Sequence, residues 1–228
     1  MNDLISVIIP VKNGSKGKYI NQAIEGILSQ NMNVEIIVVD DCSEDNTVEI
    51  AESYGCKVVK HSISKGQVAG KNSGLKIASG KYIIFHDHDD IMRKGSLNKL
   101  YQEITSNENI AAVEAKVQDW LSPDLSEKEK ETLKASAKQE PYWGLFTGAI
   151  LMKKEIFDKI GLFNESVHTG EIIEWQSKMN TNKLQIKKID FISTDRRIHN
   201  SNFGQTHKDT EFKNYASILR QKLAAKKS

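Results

Sequence analysis

Leu4-Ile5-Ser6-Val7-Ile8-Ile9-Pro10-Val11 is the stretch from which the fold is read: a continuous, β-rich apolar run of strand length. A strand with one wet face alternates apolar and polar residues. A run that is apolar at nearly every position belongs to a sheet covered by helices on both faces. Residues 34–39 repeat the pattern, and between the two runs Tyr19, Ala23, Ile24, Ile27 and Leu28 recur at helical spacing. Val48, Ala51 and Tyr54 form a second helical stripe before a short strand at 57–59. A helix over 67–78 follows, with Gly80 as its expected stop, and 81–85 reads as another buried strand. Strand and helix alternate, which predicts an α/β fold on a mostly parallel sheet with right-handed crossovers.

The second half is less regular. Residues 122–139 are polar and charge-rich and read as an exposed helix or a mobile connection. A buried strand is expected over 144–152, a short helix over 154–160 closed by Gly161, a helix led by acids over 169–180, and a last strand over 185–193. There are no internal repeats.

With 228 residues, 39% hydrophobic and 27% charged, the chain suits one soluble domain. The net charge of +2 offers no bulk electrostatic footprint for nucleic acid. Local basicity is confined to 220–227, read as a solvated tail, with weak attraction to an anionic membrane surface as the alternative. Cys42 and Cys56 match no metal or disulfide spacing. Met1-Asn2-Asp3 lacks a basic signal-peptide start, and no apolar run approaches the roughly 20 residues of a membrane span. A cytoplasmic protein is expected, with no more than peripheral contact with the inner face of the membrane.

In open parallel sheets, ligands bind beyond the carboxyl ends of the strands. Those ends read Pro10-Val11-Lys12-Asn13-Gly14, then Asp40-Asp41-Cys42-Ser43, then His86-Asp87-His88-Asp89-Asp90. Aspartates at strand ends also make turns and helix caps. Capping needs only one short side chain, however, and Ser43 or Asp45 can supply it, which leaves Asp40 and Asp41 free to accept from a uracil imide or a ribose hydroxyl. The acids after 85 are hard oxygen ligands suited to Mg²⁺ or Mn²⁺, which commonly shares its shell with substrate phosphates.

The ordered set of motifs resembles the family 2 glycosyltransferases of GT-A fold. It comprises residues 6–13, Val38-Val39-Asp40-Asp41-Cys42-Ser43, Gly70-Lys71-Asn72-Ser73-Gly74 and Phe85-His86-Asp87-His88-Asp89-Asp90. Thr147-Gly148-Ala149, Ile160-Gly161-Leu162-Phe163-Asn164-Glu165 and Arg197-Ile198-His199-Asn200-Ser201-Asn202 continue it. The resemblance implies a domain over 1–203, with a nucleotide-sugar half (1–92) and an acceptor half (93–203), followed by a basic helical tail over 204–228. It implies inverting, metal-dependent (Mn²⁺ or Mg²⁺) transfer from a UDP-sugar, or another nucleotide-diphosphate sugar, to a glycan, lipid-linked or peptide acceptor. Bacterial cell-surface glycan synthesis is the expected setting.

Carried over, Pro10 and Val11 line the base pocket, and Asp41 holds the uracil with Asp40. Asn13, Lys71, Asp87 and His88 lie with the nucleotide-sugar. Asp89 and Asp90 take the metal, with Asp89 also near the ribose; Arg197 and His199 lie near the diphosphate, and Gly148 opens the acceptor site. Trp143 is the tryptophan expected to stack on an acceptor, whereas Trp120 and Trp175 are expected to pack. His61, His168 and His207 are expected to be structural or exposed. One departure stands out in Gly170-Glu171-Ile172-Ile173-Glu174-Trp175. Ile172 occupies the place of the family's catalytic Asp, so Glu171 or Glu174 must serve as general base, unless both are only helix N-terminal acids. A nucleotide-sugar-binding protein without turnover, and a nucleotidyltransferase, are the rival readings.

Overall fold

A computed structural model of the protein describes residues 3–144, 146–167 and 170–202. The expected tail over 204–228, with His207, and also His168, lie outside the described residues.

The chain starts with β1 (Ile5–Val11), α1 (Tyr19–Leu28), β2 (Val34–Asp40), α2 (Thr47–Ser53), β3 (Lys57–Lys60), α3 (Gln67–Ile77) and β4 (Tyr82–Phe85). It continues with β5 (Ile91–Met92), α4 (Ser96–Thr105), β6 (Ile110–Leu121) and α5 (Glu127–Lys134). The last elements are β7 (Ile150–Lys153), α6 (Ile156–Ile160), α7 (Glu171–Thr181) and β8 (Gln185–Ile198). Among the described residues, one eight-stranded sheet has the order β3-β2-β1-β4-β7-β6-β8-β5. β1 pairs in parallel with β2 and β4, β2 with β3, and β6 with β8; β7 runs antiparallel to both its neighbours, and β5 antiparallel to β8.

All seven residues of β1 are buried, and the period of two divides them between two cores. Ile5, Val7, Ile9 and Val11 join Ile20, Ile24 and Ile27 of α1 and Leu97, Leu100 and Ile104 of α4. Ile8 faces the other way, towards Val68 and Leu75 of α3, Phe157 of α6 and Trp175 of α7. Trp120 and Trp175 are packing residues, as expected. In α1 the apolar stripe stops one residue short of expectation, since Leu28, in the last turn, is exposed.

α3 lies tight on β1. A Cβ on Gly70 would stand 2.9 Å from the Cβ of Pro10, so only glycine allows this approach. Gly80 does not stop the helix, which ends through an extended Ala78. Instead a Cβ there would meet the backbone nitrogen of Ser6 at 2.6 Å, so Gly80 serves the close passage of the chain past β1.

Several second-half expectations shift. α4 and β6 have no counterpart in the sequence reading. β7 is only four residues long, because Thr147–Ala149 forms a 3-10 turn where strand was expected. β8 extends to Ile198, which puts Arg197 on a strand. Within the polar 122–139 stretch, α5 is a regular helix started by a capping box between Ser126 and Glu129.

Glu35 clips the amino ends of the strands together. Its Oε1 accepts from Ser6 Oγ (2.5 Å), Ser79 N (2.6 Å) and Gly80 N (3.0 Å), and its Oε2 from Lys57 Nζ (2.6 Å). Burial by itself would raise the Glu35 pKa, but Lys57 and the serine donors outweigh it and lower the value from 4.5 to about 2. Because the folded value is depressed, this stabilisation is complete above pH 4.5 and is lost as the pH falls towards 2. Glu35→Gln is expected to cost about 2 kcal/mol at pH 7, after discounting for the exposed Lys57, and to flatten the acid limb of the stability–pH curve. Urea unfolding of both proteins from pH 7 to 3 measures this; parallel curves would show that the clip contributes nothing.

Candidate active site

The loops after β1 and β2 are sewn together. Asn13, in the left-handed region at φ +55°, donates its N–H to Ser43 Oγ (2.8 Å) and accepts from Glu44 N (2.8 Å) on its own Oδ1. Gly14 N donates to Thr47 Oγ1 (2.8 Å), and Ser15 Oγ to Asp45 Oδ2 (2.7 Å). Of the two capping candidates, Asp45 accepts from Thr47 N (3.1 Å) at the start of α2, while Ser43 serves Asn13. Asn13 thus sets the shape of the mouth through its own hydrogen bonds, with Val11 buried behind it.

The two aspartates ending β2 differ sharply. Asp41 accepts from His61 Nδ1 (2.7 Å), Ser64 Oγ (2.7 Å), Lys65 N (2.7 Å) and Gly66 N (2.9 Å), so its carboxylate organises the loop before α3. Burial works to raise its pKa, yet these donors, led by Lys65 N–H and His61, lower it to about 2. The other ring nitrogen of His61 bonds Ser73 Oγ (2.9 Å), which gives His61 the structural role expected of it. Among the described residues the Asp40 carboxylate receives only Ser43 N, at 3.3 Å, so it is the member of the pair with lone pairs to spare.

Beyond β4, Asp87, Asp89 and Asp90 each bring a carboxylate oxygen within 4.8 Å of the others. Gln67 Nε2, at the start of α3, donates to Asp87 Oδ1 (2.8 Å). His199 Nε2 bonds Asp89 Oδ2 (2.8 Å), and Ser201 N donates to His199 Nδ1 (3.2 Å), so the ring proton lies on Nε2 and points at the acid. Asp90 Oδ1 accepts from Arg197 N (2.8 Å), while its Oδ2 is buried with no partner among the described residues.

Crowding divides the three electrostatically. Burial, then the charges of Asp89 and Asp87, push the Asp90 pKa well above the usual carboxylate range, and Asp87 is raised for the same reasons against the pull of Lys71. For Asp89, burial is outweighed by His88 and His199, which hold it at about 2. Three carboxylates so close, one with an orphaned buried oxygen, are a donor set that suits a hard divalent cation. His88 packs over the β1 loop, 3.1 Å from where a Cβ on Gly14 would lie. His86 is buried, with neither ring nitrogen partnered among the described residues, and burial depresses it to about 4.

Arg197 reaches this motif from behind. Its guanidinium lies between the rings of Tyr19 (4.4 Å) and Trp120 (4.5 Å) and donates to Asp89 O (2.7 Å), Ser122 Oγ (3.1 Å) and Gln22 Oε1 (2.5 Å). With 1% of the residue exposed, its cation braces the acidic loop and offers no free face to a diphosphate. No local pattern in the sequence distinguishes this bracing arginine from a ligand-binding one. The same holds for Gln67 and Tyr19, whose roles arise only from long-range contacts.

On the other side of the acids, Lys71 of α3 places its Nζ 2.5 Å from Glu171 Oε1 and 2.9 Å from Thr147 Oγ1. The 3-10 turn that carries Thr147 also holds Gly148, whose carbonyl accepts from Thr194 Oγ1 (3.1 Å). Glu171 stands close enough to raise the pKa of Asp87, which ties the start of α7 to the acidic motif. Glu174 is paired with Lys178 (3.0 Å), and both acids border the 161–164 segment. Ile172 is buried in the apolar cluster with Trp175 and Met179. Trp143 is anchored elsewhere: its Nε1 donates to Ile189 O (3.1 Å), and Lys116 Nζ lies 4.3 Å from its ring, contacts with the middle of β6 and β8.

A family model described as "Glycosyl transferase family 2" matches residues 6–161. Among curated proteins, the chain is 29% identical over 234 residues to glycosyltransferase GlyG of Streptococcus pneumoniae serotype 4, covering 93% of this chain and 75% of that one. It is 32% identical over 175 residues to glycosyltransferase RP339 of Rickettsia prowazekii, covering 72% of this chain but only 54% of the relative, about half its length. Among solved structures, S. aureus TarS 1–349 superposes with a TM-score of 0.67 at 22% identity, covering 86% of this chain and 60% of that one. TarS 1–349 in complex with UDP-GlcNAc gives 0.69 at 22% identity, covering 89% and 60%. At that identity the likeness shows a shared fold, the GT-A arrangement of a mostly parallel sheet between helices.

Proposed function

The chain belongs to glycosyl transferase family 2, a family of transferase enzymes, and from that premise we propose that it moves a sugar from a UDP-sugar to an acceptor hydroxyl with inversion. The observation that carries this reading is the meeting of three carboxylates, one with an orphaned buried oxygen, with the sewn loops of β1 and β2 at one edge of the sheet. The solved TarS structures with UDP and with UDP-GlcNAc support uridine as the base.

Each residue then has a task. Pro10 and Val11 wall the base pocket, and Asp40 accepts the uracil imide, while Asp41 fixes the 61–66 loop beside it. Asp89 and Asp90 would hold Mn²⁺ or Mg²⁺, whose chemistry is to neutralise charge on the departing diphosphate. His199 orients the Asp89 carboxylate, and Arg197 fixes the backbone between the acids. Glu171, rather than Glu174, stands on the wall shared with the acids and takes the acceptor proton; Lys71 is its counter-ion, and Gly148 leaves room for the acceptor beside it. Positioning and electrostatics supply the catalysis, with no covalent intermediate. The acceptor is a glycan, lipid-linked or peptide hydroxyl in cell-surface glycan synthesis.

No helix among the described residues is long and apolar enough to cross a membrane. With Cys42 and Cys56 both free, this supports a cytoplasmic site of action with at most peripheral membrane contact.

Calorimetric titration with UDP, and GDP as control, in Mn²⁺, in Mg²⁺ and in EDTA tests the reading. Metal-dependent binding of UDP but not GDP, followed by UDP release from a UDP-sugar, is expected. Absence of UDP and GDP binding in every condition would overturn the transferase reading. Tight UDP-sugar binding without turnover across an acceptor panel would favour a binding protein, the alternative that the buried Ile172 motivates. Pyrophosphate release from UTP and a sugar 1-phosphate, with no UDP release from a UDP-sugar, would indicate a nucleotidyltransferase.

A further inference from the structure

We propose that Arg196 forms an oxyanion-recognising subsite on the acceptor side of the cleft, so that the acceptor carries a phosphate or carboxylate group near the reacting hydroxyl. This rests on the transferase reading and adds the chemical class of the acceptor.

Residues directly opposed in a sheet share a face, and neighbours along a strand alternate. Asp119 of β6 opposes Arg196 of β8, and Val117 opposes both Thr194 and Tyr142. Thr194 in turn bonds Gly148, and Tyr142 Oη donates to Asp119 Oδ1 (2.8 Å). Arg196 therefore shares a face with the Thr147–Ala149 turn, which touches Lys71, the partner of Glu171. Arg197, opposed to Trp120, occupies the other face with Tyr19.

The two arginines differ in what is left to bind. Every guanidinium nitrogen of Arg197 donates within the fold. Arg196 is held only by Asp119 Oδ1, at 3.5 Å, and by the neighbouring Tyr142 hydroxyl among the described residues, and its side chain is 32% exposed. Asp119 is shared, since Tyr142 Oη and Lys138 N (2.9 Å) also donate to its two oxygens and Arg196 reaches it only at 3.5 Å. Lys138 Nζ, 3.6 Å from the Tyr142 ring, adds a second cation at the same place. A planar guanidinium with free N–H groups suits the paired oxygens of a phosphate or carboxylate. The N–H one residue on holds Asp90, so the subsite adjoins the acidic motif.

The test is NMR-detected titration of the full chain loaded with UDP and Mn²⁺-free Mg²⁺, using glycerol 1-phosphate, glucuronate, glycerol and glucose as probes. Glycerol 1-phosphate or glucuronate should bind at least tenfold tighter than its neutral counterpart, and the two probes separate phosphate from carboxylate acceptors. Arg196→Gln should weaken the anion at least tenfold while UDP affinity stays within twofold. Asp119→Asn, which removes the competing negative charge and keeps one of its two acceptor oxygens, should tighten the anion severalfold, a gain that misfolding cannot mimic. Equal anion affinity in wild type and both variants would overturn the proposal. So would a parallel fall in UDP affinity in Arg196→Gln, which would assign the arginine to the donor. If the wild type binds no UDP, the transferase reading fails by itself, and the same titrations without UDP still decide whether Arg196 binds the anion.

Discussion

Asp89→Ala is expected to weaken UDP binding in Mn²⁺ at least 100-fold, about 3 kcal/mol, while leaving the weak binding in EDTA within a few-fold of wild type. Asp89 is the one member of the acidic trio held firmly ionised, with a pKa of about 2, since His88 and His199 outweigh its burial. Its Oδ2 is oriented by the His199 Nε2 proton at 2.8 Å, so the carboxylate is set before any ligand arrives. Removing it takes away both the charge that would attract a divalent cation and the partner of a buried imidazole. Asp89→Asn separates the two: it keeps an oxygen for His199 but not the charge, and should match Asp89→Ala in UDP binding while melting closer to wild type. Calorimetry with and without metal, beside thermal melts, measures both. UDP binding in Mn²⁺ that survives Asp89→Ala unchanged would remove this carboxylate from the donor site.

Glu171→Gln should lower kcat for sugar transfer by 10²–10⁴-fold, the range for loss of a general base, with UDP affinity preserved. Glu174→Gln should stay within about threefold of wild type, because that side chain is paired with Lys178 and not with Lys71 beside the acidic motif. The contrast is needed because the Lys71–Glu171 pair is buried and also has a structural role. Breaking a buried pair leaves an uncompensated charge, so Glu171→Gln should also destabilise the fold by about 3 kcal/mol. Assays below the melting temperature of the variant, with activity counted per folded molecule, keep the two effects apart. If Glu171→Gln destabilises the fold but turns over normally per folded molecule, Glu171 is a strut and not the base.

The first half of the chain was the more legible part. Its strands are buried on both faces, so apolar runs announce them, and the polar residues just after each run fall at the sheet edge where ligands sit. The second half was harder. β6 carries Glu114, Lys116, Gln118 and Asp119 within twelve residues, and its register with β8 shifts near Ile110, Glu114 and Lys116. Such irregularity breaks the simple alternation on which strand reading depends. α4, with Leu97, Leu100 and Ile104 as its buried stripe, was legible in principle, since those residues keep helical spacing.

By itself, then, the sequence determined the parallel α/β scaffold, the strand-end carboxylates and the absence of an acid at Ile172. Each of these depends on residue type and local spacing, which the chain carries on its face. Only the tertiary structure decided which carboxylate is free and which is consumed. Asp41 is spent on His61, Ser64, Lys65 and Gly66 while Asp40 is not, and Arg197 is enclosed by Tyr19, Trp120 and Gln22 while Arg196 keeps part of its side chain exposed beside Asp119. Adjacent, identical residues on a strand point to opposite faces and meet different partners. Those partners come from distant parts of the chain, so their hydrogen bonds exist only once the sheet has closed.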